Sequence, residues 1–235
     1  MTRIAFVSDP HGDLDAFECV IADLERNGPF DEILLGGDLA QGGPQPVQTI
    51  DRIRELGWPS VRGNSDDFLV GIAGGALTEE VPENVRARGE WSVEQLGPER
   101  LDYLKRLPTS IERGPFPIGR VVLVHATPWS TEEVVLPDAD ETVAQRMIDE
   151  AHAGLVAYGH IHMAYQRRVA AAVLMSVGAV HGSNDTDPRP AYTVVDLGEV
   201  TSVRVVRVDC PTARLRDPGS FPVRSRPGVT LVVWP

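Results

Sequence analysis

The chain of 235 residues predicts an α/β fold, and three observations predict it. Strand-length apolar runs alternate with amphipathic helix-length runs from Arg3 to Arg62, an order that implies parallel strands covered by helices. Beyond Glu141–Ala151 the helices thin out and short strands follow one another closely, as in an antiparallel half. No repeat, low-complexity tract or Ser/Gly-rich linker interrupts this progression, so a single domain over residues 1–235 is expected.

Taken in order, Arg3–Ser8 reads as a buried strand that Pro10 ends, because proline cannot donate to a ladder and holds Asp9 extended. Leu14–Arg26 has helical spacing, with Leu14, Phe17, Val20, Ile21 and Leu24 on one face and Asn27-Gly28 as its stop. Asp31–Leu35 is a second strand, Val47–Leu56 a second helix and Ser60–Arg62 a short third strand. From Ser65 to Pro108 the strands stop. Leu69–Ile72 and Trp91–Leu107 read as helices broken at Gly74-Gly75 and Gly97-Pro98, a helical insertion over one end of the sheet. Strands return at Ile118–Val124 and Leu155–Tyr158, with a helix near Glu141–Ala151 between them. Gln166–Val169, Ala172–Val177, Tyr192–Asp196 and Val200–Val208 follow as strands. The Pro/Arg-rich tail, residues 210–235, closes with a strand-like run at Val229–Trp234.

Composition bounds the partners. A hydrophobic share of 42% supports a full core. Twenty-two basic against 34 acidic residues give a net charge of −12, which argues against an extended nucleic-acid surface or an anionic membrane. An acidic protein that handles phosphate needs a local positive source, and bound metal supplies one. Cys19 and Cys210 do not make a disulfide framework, and Cys19 reads as a small buried residue. The start, MTRIAFVSDPHG, has no charged-then-apolar leader, and the apolar stretch around Ala170–Val180 is about half a membrane span. A cytoplasmic location is therefore expected, with the low cysteine count in support.

The chemistry sits at the carboxyl ends of the strands, where open α/β sheets bind ligands. The first strand ends in Asp9-Pro10-His11, the second in Gly37-Asp38, the third in Gly63-Asn64. The next two end in His125 and in Gly159-His160-Ile161-His162. Each residue alone has an ordinary reading as a turn residue, a cap or a packed histidine. Together they bring two carboxylates, one amide and four imidazoles to one crevice. That donor set suits Mn, Fe, Zn or Ni better than Ca or Mg, and the lack of thiolate argues against structural zinc. Seven donors exceed one ion, so two ions are expected, with Asp38 as the natural bridge. Gly37, Gly63 and Gly159 each precede a donor, where a side chain would hinder the turn. In an extended segment His160 and His162 would project to the same side and serve one ion each, with Ile161 turned into packing.

This ordered set, Asp9-x-His11, Gly37-Asp38, Gly63-Asn64, His125 and Gly159-His160-x-His162, resembles the calcineurin-like metallophosphoesterase superfamily. The resemblance spans Arg3 to about Asp196. It is nearest to a small phosphodiesterase branch related to YfcE, which Ser176–Asp196 also resembles. It implies a four-layer α/β/β/α sandwich, here with the helical insertion. It also implies a ligand split: Asp9, His11 and His162 on one ion, Asn64, His125 and His160 on the other, and Asp38 between. Ser65 stands where many members carry a histidine credited with the leaving group. Ala126 stands where Gly is usual after the histidine, and Ile161 where Thr is usual. Neither of those two changes removes a donor. Ser65 and His181 are the candidate substrate contacts.

A dinuclear site of this kind activates a bridging hydroxide for in-line attack at phosphorus. Two divalent ions against Asp9, Asp38 and that hydroxide leave one net positive charge, an anion site inside an acidic protein. With serine at position 65, good leaving groups are favoured. The expected function is a metal-dependent phosphodiesterase, with manganese as the expected metal and a small or nucleotide-like phosphate ester as substrate. A phosphomonoesterase is the nearest alternative. A protein phosphatase fits less well, because Gly37-Asp38-Leu39-Ala40 is not followed by an Asp-Arg-Gly segment. A protein-interaction scaffold is the alternative of another class.

Overall fold

Alternation in Ile4-Ala5-Phe6-Val7 sends successive side chains to opposite faces, and each face meets a different core. The computed structural model of the protein describes residues 1–76, 81–211 and 232–234. In chain order the elements are β1 (Thr2–Val7), α1 (Leu14–Asn27), β2 (Glu32–Leu35), α2 (Pro46–Leu56), α3 (Asn64–Ala73) and α4 (Glu83–Arg106). They continue with β3 (Ser110–Phe116), β4 (Gly119–Val124), α5 (Glu141–Ala151), β5 (Leu155–Tyr158) and β6 (Ala164–Val169). The last are β7 (Ala172–Val177), β8 (Ala191–Leu197), β9 (Thr201–Arg207) and β10 (Val232–Trp234).

Two five-stranded sheets result, ordered β10-β9-β8-β1-β2 and β3-β4-β5-β7-β6. β1 pairs parallel with β2, and β5 pairs parallel with both β4 and β7. The remaining pairings are antiparallel. Ile4, Phe6 and Val195 of the first sheet pack with Val121, Leu155 and Met175 of the second, closing the space between the sheets. Ala5 and Val7 face Phe17 and Val20 of α1 and Ile50 of α2 on the outer side. On the opposite outer side Val122, Val156 and Leu174 pack against Met147 and Ile148 of α5. Three cores between four layers make the α/β/β/α sandwich that the resemblance implied.

Local chemistry sets the element ends. Asp13 caps α1 by accepting the Ala16 amide, and Asp140 caps α5 by accepting that of Thr142. Gly57 ends α2 in the left-handed region that glycine tolerates. The break expected at Gly97-Pro98 is a kink inside α4, with Gly97 at φ 66°. Leu69 of α3 and Leu96 and Leu104 of α4 join the helical core of α1 and α2.

Four expectations need correction. Ser60–Arg62 is not a strand: it contributes a single parallel bridge, Leu35 to Ser60, before the chain turns into α3. β3 was not foreseen. Only Ile111 of its residues is buried, and Gly114-Pro115 breaks its pattern, yet it pairs antiparallel with β4 and Arg113 reaches Glu32 of β2. Cys19 and Cys210 form a disulfide, with Cα atoms 5.7 Å apart, because the end of the β9 segment returns to α1. Their pairing removes the support that cysteine usage lent to a cytoplasmic location. Most of the Pro/Arg-rich tail, including the start of the Val229–Trp234 run, lies outside the described residues. Among the described residues, no helix is long and apolar enough to cross a membrane.

Phe6 is fully buried between the sheets. Phe6→Ala should cost about 3–5 kcal/mol in a denaturant titration, while Glu150→Ala on the outer face of α5 should stay within about 0.5 kcal/mol. Equal midpoints for the two variants would contradict the inter-sheet core.

Candidate metal centre

Backbone hydrogen bonds gather the strand ends at one rim. The Asp9 amide donates to the Gly37 carbonyl at 3.1 Å and the His11 amide to that of Asp38 at 2.9 Å, so β1 and β2 leave the sheet as a joined pair. The Gly159 amide donates to the His125 carbonyl at 2.9 Å, joining the ends of β4 and β5 in the same way. Asn64 opens α3. Side chains from both sheets then converge in two groups, Asp9 with His11 and His162, and Asp38 with His125 and His160. Asn64 belongs with the second group. Its Oδ1 lies 2.9 Å from His125 Nε2 and 2.9 Å from His160 Nδ1.

Asp38 faces both groups, one oxygen to each. Its Oδ2 is 3.5 Å from His11 Nε2 and its Oδ1 is 3.4 Å from His125 Nε2. Asp9 Oδ1 is 3.4 Å from His162 Nε2 and 3.8 Å from His11 Nε2. All seven donors expected from the sequence therefore meet.

The imidazoles are fixed by their other ring nitrogens. His11 Nδ1 meets the Gln41 carbonyl at 2.6 Å, His162 Nδ1 that of Gly182 at 2.8 Å, and His125 Nδ1 that of Gly36 at 2.7 Å. His160 is reversed, with Nε2 meeting the Glu132 carbonyl at 3.1 Å. A carbonyl only accepts, so the proton of each neutral ring sits on the nitrogen facing it. The bare nitrogens point inward. His11 Nε2 and His162 Nε2 approach to 3.0 Å, lone pair toward lone pair, and only a proton or a metal cation reconciles them. Asp9 Oδ1, wholly buried, has no hydrogen-bond partner. A buried carboxylate oxygen left without a donor is costly unless a cation meets it. On these observations the residues fit a pair of divalent metal ions.

Electrostatics follow the same geometry. Burial alone would raise the pKa of Asp9, but His162, His125 and His11 outweigh it and hold the carboxyl below the usual range. Burial also works against a charge on every ring. In His11 it wins, and the pKa falls to about 4 despite Asp38 and Asp9. His160 is likewise lowered, by burial and then by His125. In His162 the facing Asp9, and in His125 Asp38 with Asp9, overcome burial and raise the value.

Five of the seven donors, Asp9, His11, Asp38, His160 and His162, have left-handed backbone, with φ between 48° and 64°. Such strain in non-glycine residues gathers at functional sites. It corrects two extended readings, that of Asp9 before Pro10 and that of His160-Ile161-His162. The latter segment is a turn, yet it still sends one ring to each group and seats Ile161 in the α5-side core. The glycines admit close neighbours: a Cβ on Gly63 would lie 2.1 Å from Asp38 Oδ1, and one on Gly159 would lie 2.6 Å from Asp9 Oδ2.

Asp66 is the residue that sequence reasoning passed over. Fully buried, it accepts the amides of Asp38 at 2.9 Å, Leu39 at 2.9 Å and Gly63 at 3.0 Å. It ties the turn bearing Asp38 to the turn bearing Asn64. Burial and Asp38 push its pKa up to about 7, against those amide donors. The sequence signals for it are its place in the run Gly63-Asn64-Ser65-Asp66 and an acidic residue three positions after a glycine at a helix start. Of the two candidate substrate contacts, Ser65 is buried, donates its amide to Asp38 Oδ1 at 2.9 Å, and has a hydroxyl oxygen without a partner. His181 stands beside His11, ring centroids 6.1 Å apart, with Nδ1 2.8 Å from Asp13 Oδ2.

Comparison with known proteins agrees with this geometry. Residues 2–199 match a family model described as a calcineurin-like phosphoesterase superfamily domain. A metallophosphoesterase from Sphaerobacter thermophilus is similar in structure, at 26% identity and a TM-score of 0.71, over 89% of each chain. Yfce, a phosphoesterase from Escherichia coli, shares the fold at 17% identity and a TM-score of 0.50, over 88% of this chain and 100% of that one. Protein MJ0912 of Methanocaldococcus jannaschii is 27% identical over 186 residues, 78% of this chain and 72% of that protein.

Asp66→Ala should leave three buried amides without an acceptor, each worth about 1–3 kcal/mol. We expect a lower denaturation midpoint and a bound-metal content below that of the wild type, measured by elemental analysis after reconstitution. Wild-type metal content in this variant would show that Asp66 does not hold the two turns.

Proposed function

The chain belongs to the calcineurin-like phosphoesterase superfamily, and on that premise we propose that it is a dinuclear-metal-dependent phosphodiesterase acting on a small or nucleotide-like phosphate ester. The observation that carries the reading is Asp38, whose two oxygens each face one cluster of imidazole nitrogens. Asp9, His11 and His162 would hold one ion, and Asn64, His125 and His160 the other, with Asp38 shared. Bound divalent ions supply a water of lowered pKa and polarise a phosphoryl oxygen.

The chain's own residues prepare that chemistry. Backbone carbonyls at Gln41, Gly182, Gly36 and Glu132 orient the four rings and leave the opposite nitrogen of each facing the pocket. The two carboxylates among the donors, Asp9 and Asp38, bring two negative charges against the four positive charges of two divalent ions, a local source of positive charge in a protein of net charge −12. A phosphate ester is drawn to that pocket, while the acidic surface suits neither nucleic acid nor an anionic membrane. Nitrogen and oxygen donors without thiolate accommodate manganese, iron, zinc or nickel, and we propose manganese. At position 65 the side chain is a hydroxyl, not an imidazole, which favours esters with good leaving groups.

The test is reconstitution of metal-free protein with Mn²⁺ and turnover of bis-p-nitrophenyl phosphate beside p-nitrophenyl phosphate. We expect two bound ions per chain, hydrolysis of the diester, and at least about a 10³-fold loss in Asp38→Asn. Preferred hydrolysis of the monoester would overturn the diesterase assignment. Metal uptake without turnover of either would favour an interaction scaffold. Acid should inactivate the protein, because metal must displace protons from the rings. Facing carboxylates raise the proton affinity of His125 and His162, so protons compete with metal for these rings and metal content should fall as the pH is lowered. Metal content that stays constant down to about pH 4 would contradict these ligands.

A further inference from the structure

Phosphoester hydrolysis leaves an oxygen that needs a proton, and Ser65 is poorly suited to give one. Among the six histidines, four belong to the two donor clusters. His152 caps the far end of α5 in a left-handed conformation, on an outer surface with Arg146 and Glu150. His181 is the sixth. It follows β7 in a segment laid along the end of β1, where the Val180 amide donates to the Ser8 carbonyl at 2.9 Å and the His181 amide to that of Asp9 at 3.0 Å. This places the ring at the edge of the Asp9–His11–His162 cluster without joining it.

Asp13 fixes the ring. The carboxylate is buried, with Oδ1 accepting the Ala16 amide at 3.1 Å as the α1 cap and Oδ2 facing His181 Nδ1 at 2.8 Å. One oxygen anchored in the helix cap leaves the other little freedom, so the imidazole has a set direction. Nδ1–H is committed to Asp13, and among the described residues Nε2 meets no hydrogen-bond partner. The side chain is 22% exposed, open to solvent at the rim of the site. A buried carboxylate behind a partly open imidazole, beside a centre for hydrolysis, is how an acid–base histidine is oriented.

We propose that His181, oriented by Asp13, is the proton donor to the leaving oxygen, and that Asp13 is its positioning residue; the proposal rests on the phosphoesterase reading. In the step, an oxygen of water bonds to phosphorus as the bond from phosphorus to the leaving oxygen breaks. His181 Nε2 gives its proton to that oxygen, the attacking water releases one proton to solvent, and the ring takes one back. The ester and water become a phosphate product and an alcohol, with no other reactant.

The experiment uses Mn²⁺-loaded full-length protein and a series of methyl aryl phosphates, from 4-nitrophenyl to phenyl, whose phenol has a pKa of about 10 like tyrosine. For His181→Gln we expect kcat/KM to fall less than about fivefold with the 4-nitrophenyl ester and at least about 100-fold with the phenyl ester. Asp13→Asn, which keeps an oxygen to cap α1, should show the same trend at about tenfold. Metal content and melting temperature measured without substrate should match wild type in His181→Gln. A loss equal across the series, no loss, or a fall in metal content would overturn the proposal. A wild-type protein that binds two ions yet hydrolyses no ester of the series would overturn the phosphoesterase reading itself.

Discussion

Lone pairs crowded around buried carboxylates are the constraint on which this structure depends. Two bare ring nitrogens approach to 3.0 Å, and Asp9 Oδ1 is buried with no donor. A protein interior tolerates such an arrangement only if positive charge occupies it. Everything near the site serves to hold these atoms in place. Carbonyls clamp the far side of each ring, Asp66 clamps the two turns, and glycines let backbone approach carboxylate.

The four-layer architecture makes the convergence possible. Each sheet brings a parallel pair, β1 with β2 and β4 with β5, whose carboxyl ends open on one rim. The core between the sheets fixes one pair against the other, so a donor set drawn from Asp9 to His162 depends on burial of residues such as Phe6 and Met175. Left-handed backbone at five donors is the local cost, and the hydrogen bonds between turns hold it.

Much of this was legible in the sequence, for identifiable reasons. The strands of both sheet centres are apolar runs ended by Gly, Asp, Asn or His, and a buried strand that stops at a polar residue announces its own carboxyl end. α1, α2 and α5 have clear helical spacing. What escaped depends on contacts that composition does not carry. β3 is mostly exposed and interrupted by Gly114-Pro115, and its place rests on pairing with β4 and on Arg113 meeting Glu32. The Cys19–Cys210 bond depends on the end of the β9 segment returning to α1 across 191 positions. His160 and His162 do face two different clusters, as expected, but from left-handed backbone at both residues and not from an extended segment. Asp66 has no role that the sequence alone assigns, and the three amides around it show what it holds.

The Asp13–His181 pair shows how a helix cap can extend into a reactive rim, since one carboxylate serves both. It matters only if the neighbouring clusters hold metal. The most direct measurement is anomalous X-ray diffraction at the manganese edge from crystals of reconstituted protein. The account predicts two peaks about 3.5–4 Å apart, one among Asp9, His11 and His162, the other among Asn64, His125 and His160, with Asp38 between them. A single peak, or peaks away from these side chains, would contradict it.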